Sequence, residues 1–94
     1  MGENLDQVRF TGLHKPEIRV QLGDPDTIEV MTKTQGHIFG YVEGLWDKME
    51  LGDSLVTWTY EAKNGKKMLY FINESTEVID ESFWFNDQKK NPVY

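Results

Sequence analysis

The chain has 94 residues, 38% of them hydrophobic and 13% aromatic, with 16 acidic against 10 basic side chains and a net charge of −6. That is enough for one small core without metals or cross-links, and the absence of cysteine excludes a disulfide framework and any thiolate metal site. An acidic balance of this kind opposes bare phosphate backbones and anionic membranes and favours basic surfaces.

Residues 1–13 are mostly polar and read as an N-terminal arm, in which Val8 and Phe10 dock or add a short edge strand. The opening MGENLDQVRF lacks the basic-then-apolar layout of a secretory signal, and no apolar run nears the roughly 20 residues that span a bilayer. A cytoplasmic protein with no membrane segment is expected, in keeping with its lack of cysteine. After Lys15-Pro16, Ile18, Val20 and Leu22 alternate with Glu17, Arg19 and Gln21, which predicts a half-buried strand. Gly23-Asp24-Pro25-Asp26-Thr27 is a turn by composition, and Ile28, Val30 and Thr32 continue the alternation, with Leu22 opposite Ile28. Gln35-Gly36 then turns the chain into HIFGYVE, a strand apolar on both faces that sets Val30 against Tyr41 and carries a bulge at Gly40.

Residues 44–52, GLWDKMELG, break the alternation; Leu45, Trp46, Met49 and Leu51 predict one or two helical turns that survive only by plugging a core. In SLVTWTYEAKNGKKMLYFIN, residues 54–73, Asn64-Gly65 is the hairpin signal and predicts a type I′ turn with Trp58 opposite Phe71. One face of that hairpin then carries Val56, Trp58, Tyr60, Leu69 and Phe71; the other carries Thr57, Thr59, Glu61, Met68, Tyr70 and Ile72, which is too apolar for ordinary solvent surface. Glu74-Ser75-Thr76 marks a turn or cap, residues 78–85 (VIDESFWF) favour a strand over a helix, and residues 86–94 read as a loose tail.

These elements predict a mainly β single domain over residues 1–94, a small barrel-like sheet of five or six strands in the order strand-strand-strand-helix-strand-strand. Oligonucleotide-binding (OB-like) and SH3-like barrels share that order. Enzyme chemistry finds no support. His14 and His37 lack ligand partners at helical spacing, Asp24-Pro25-Asp26 lacks the glycine and bidentate glutamate of a calcium loop, and no serine sits in a nucleophile elbow. No cofactor is implied. The expected role is binding. Glu77, Asp80, Glu81, Trp84, Phe85 and Asp87, joined by Met68 and Tyr70, form an acidic-aromatic surface suited to a protein with a basic face, such as a nucleic-acid-binding protein that it occupies or inhibits. The composition also suits the small host-factor inhibitors of phages and mobile elements. The alternative is single-strand nucleic-acid binding through Lys63, Lys66, Lys67 and Tyr70, or a small ligand in the barrel mouth.

Overall fold

The computed structural model describes residues 5–34 and 43–86. Its elements in chain order are a 3-10 turn at Leu5–Gln7, helix α1 (Lys15–Leu22), strand β1 (Thr27–Thr32), helix α2 (Glu43–Lys48), and strands β2 (Ser54–Ala62), β3 (Gly65–Ile72) and β4 (Asp80–Phe85). The four strands form one antiparallel meander in the order β1-β2-β3-β4. Among the described residues the sheet stays open, with β1 and β4 as its edges, in place of the predicted closed barrel of five or six strands. Residues 37–42 of the predicted strand HIFGYVE, its Gly40 bulge included, and the tail from Asp87 onward lie outside the described residues, while Glu43 begins α2.

The first correction is α1. Ile18 and Leu22 satisfy the two-residue period of a strand and also the i, i+4 spacing of a helix, and Val20 separates the two readings. Val20 is 86% exposed, while Ile18 is fully buried and Leu22 packs against the same core. Local signals favour the helix. Pro16 sits in the first turn, where its missing N–H breaks no hydrogen bond. The Glu17 carboxylate accepts the His14 N–H at 2.8 Å, one half of a capping box. Gly23, at φ 80°, ends the helix by donating its N–H to the Arg19 carbonyl. Leu22 therefore does not pair with Ile28, and β1 begins the sheet.

The α1 side of the sheet buries Trp58, Tyr60, Leu69 and Phe71 with Ile18, Phe10, Leu5 and Val78, so the arm is docked into this core through Leu5 and Phe10. Lys15 and Arg19, one helical turn apart, lie over the aromatic rings: Lys15 Nζ is 4.8 Å from the Phe71 centroid and the Arg19 guanidinium 4.8 Å from that of Trp58. The opposite side of the sheet carries a second core of Leu55, Met68 and Tyr70 under Trp46 and Met49 of the α2 segment. As expected, the short helical segment is plugged by those two side chains, although it caps a sheet face and leaves Leu51 exposed. A buried lysine pins it: Lys33 Nζ donates to the Trp46 and Met49 carbonyls at 2.7 and 2.6 Å, placing its charge where the carbonyls of the last turn project.

The hairpin between β2 and β3 keeps its predicted faces but not its predicted register. Ala62 pairs with Gly65, Tyr60 with Lys67 and Trp58 with Leu69, so Lys63-Asn64 makes the turn in place of Asn64-Gly65. Neither Lys63, Asn64 nor Gly65 has positive φ, which excludes the type I′ geometry. Gly65 serves packing: β4 runs so close to it that an added methyl would overlap the Trp84 carbonyl and the Phe83 ring. Sliding a two-residue turn by one position moves each cross-strand partner by two. Because the side-chain period of a strand is also two, no residue changes face.

Candidate functional site

The predicted acidic-aromatic surface is divided by the fold. Residues 80–85 form β4 beside β3, so this segment extends the sheet at its edge and does not cover the hairpin's second face. α2 covers that face instead, which buries Met68 and Tyr70, and the Tyr70 hydroxyl bonds Ser82 Oγ at 2.7 Å. Glu77 and Asp80 are exposed, Trp84 and Phe85 are 37% and 39% exposed, and Asp87 lies outside the described residues.

Glu81 is not a surface acid. Its side chain, 5% exposed, points to the α1 side with Leu69 and accepts from Lys67 Nζ at 3.2 Å, Arg9 Nε at 2.6 Å, the Phe10 N–H at 2.9 Å and Thr11 Oγ1 at 3.1 Å. Burial pushes its carboxyl up, but the Phe10 N–H, Lys67 and Arg9 outweigh that, and the net shift is below the usual carboxylate range. The same pair dissolves the predicted basic spot. Lys67 is buried against Glu81 and Phe10, which leaves Lys63 exposed and Lys66 half-buried on the opposite side of the sheet.

A different site emerges from the register. On the α2 side, cross-strand neighbours form rows: Glu61, Lys66 and Trp84; then Thr27, Thr59, Met68 and Ser82; then Glu29, Thr57, Tyr70 and Asp80; then Met31, Leu55 and Ile72. Trp46 and Met49 pack against the last rows, from Tyr70 to Leu55. The remainder is an open cleft of about 340 Å³, lined by Thr27 and Glu29 of β1, Thr59 and Glu61 of β2, Lys66 and Met68 of β3 and Trp84 of β4, with Glu61 directly across from Lys66. Neither carboxylate, nor the Lys66 ammonium, has an ion-pair partner among the described residues. The Thr59 hydroxyl, in a residue only 9% exposed, has no hydrogen-bond partner among them either. Glu61 and Thr59 are legible in the sequence as part of the second hairpin face; Glu29 and Thr27 are not, because alternation pairs their strand with residues 18–22 and 37–43 where the fold pairs it with β2.

Among the described residues no group of three or more histidines and acids is placed to hold a metal ion, and no helix is long and apolar enough to cross a membrane. Compared with protein-family models, curated proteins and solved structures, the chain matches none.

Proposed function

We propose that this protein is a non-enzymatic binding module that engages a partner protein bearing a basic surface, occupying or inhibiting it; a nucleic-acid-binding protein is a partner of this kind. The observation that carries the reading is the half-covered sheet face: α2 shields one end, and the other end is a cleft with two carboxylates that form no ion pair among the described residues, one lysine, and a partly exposed tryptophan. Unpaired carboxylates at a concave surface attract cationic groups and speed their encounter, and a neighbouring indole can hold a cation by its ring face. The net charge of −6 acts in the same direction at longer range. A chain without cysteine suits a reducing compartment such as the cytoplasm.

The test is retention of lysate proteins on the immobilised chain, at low and at physiological salt, beside the Glu29→Lys/Glu61→Lys variant. Basic proteins should be retained by the parent chain, released by salt and lost in the double variant. Retention indifferent to both changes would refute the reading. So would tight binding of single-stranded DNA at physiological salt that requires Lys63 and Lys66.

A further inference from the structure

The two carboxylates of the cleft stand apart in a defined way. Thr57 is opposite Glu29 and Thr59 opposite Thr27, so Glu61 and Glu29 lie four residues apart along the strand direction. At 3.2–3.4 Å per residue their backbone positions are about 13 Å apart, too far for one cation to neutralise both. Between them lies the Thr59 hydroxyl, unpartnered among the described residues in an otherwise buried residue. An extended polypeptide has the same rise, and its side chains at positions one and five project to the same side. A helix, rising 1.5 Å per residue, would need its cations about nine residues apart to span the same gap.

We infer that the cleft receives an extended basic segment of the partner protein, with two cationic side chains four residues apart meeting Glu61 and Glu29 and the Thr59 hydroxyl hydrogen-bonding the chain between them. This rests on the binding role proposed above and adds to it a conformation and a spacing. The partner's cations supply Glu29 and Glu61 with the ion-pair partners that neither has among the described residues. Lys66 lies directly across the β2–β3 pair from Glu61, so a cation seated on Glu61 approaches it from the β1 side, away from the Lys66 ammonium.

The probes are two end-blocked five-residue peptides of identical Thr/Ser/Arg composition, one with arginines at positions one and five, the other with the arginines adjacent. Binding is followed by amide shifts in ¹H–¹⁵N spectra of the full chain. The spaced peptide should bind about threefold more tightly, the order of one exposed ion pair, and shift amides of residues 27–29 and 59–61. Glu29→Gln or Glu61→Gln should erase the difference between the peptides, and Thr59→Val should weaken the spaced one. Equal affinity of the two isomers, equal affinity for free arginine, or shifts confined to β4 would overturn the inference. So would the absence of any shift with either peptide. If basic proteins are still retained by the chain in a salt-dependent way, only the extended-segment assignment falls; if that retention is also absent, the binding role falls with it.

Discussion

Replacing Glu81 by Gln tests whether an acid read from sequence as a steering charge is a structural one. The substitution keeps the shape and one acceptor oxygen for the Phe10 N–H, but removes the charge facing Lys67, whose side chain is only 4% exposed. Breaking a buried ion pair by neutralising one partner leaves the other uncompensated, a cost of about 3–5 kcal/mol. For a domain of this length, total stability is roughly 5–14 kcal/mol, so the change is a large fraction of it. Urea denaturation followed by circular dichroism measures the loss. Lys67→Met should be similarly harmful, and the double variant Glu81→Gln/Lys67→Met should cost less than the two single costs added, because no unpaired charge is then buried. The acid limb gives an independent check. The Glu81 carboxyl is held below its unfolded value of about 4.3, so its contribution is present above that pH and is lost as pH falls through the folded value. Glu81→Gln should therefore flatten the fall in stability below about pH 4. A cost under about 1 kcal/mol, or strictly additive single and double variants, would refute the buried-pair argument.

Trp46→Ala removes the main plug between α2 and the sheet and should cost about 3–5 kcal/mol in denaturant unfolding; a cost below about 1 kcal/mol would mean that α2 is not held by this contact. Gly65→Ala should destabilise by about 1–3 kcal/mol, with faster hydrogen exchange in β4, because the added methyl meets the Trp84 carbonyl and the Phe83 ring. Tyr60 donates to the Gly23 carbonyl at 2.8 Å, and burial, aided by Asp24 and Asp26 and opposed by Arg19, pushes its phenol up to about 12. Its contribution is complete below its unfolded value of about 10 and is lost as pH rises toward 12, so Tyr60→Phe should remove that alkaline fall at a cost near neutrality of about 1 kcal/mol.

Periodicity explains which features could be read in advance. The two faces of the β2-β3 hairpin follow from alternation alone and survive the turn's displacement, since a shift of two residues leaves every side chain on its own side. Asn64-Gly65 marks where the chain reverses but does not decide the pairing; that is set by β4, whose backbone needs the empty side of Gly65. The helical plug at Trp46 and Met49 was legible because its spacing breaks the alternation around it. Ile18 and Leu22 fit both periods; Pro16, Glu17 and Gly23 tip the segment locally toward a helix, and the sheet face at Trp58 and Phe71 buries its apolar side. By parity with Leu69 and Phe71, Lys67 already belonged to the buried face; what the sequence could not supply was its partner, because Glu81 arrives from a different strand together with the N-terminal arm. The candidate cleft is farther still from local information. It exists because a six-residue helix docks over one end of a sheet face, and tertiary packing alone determines which carboxylates that leaves uncovered.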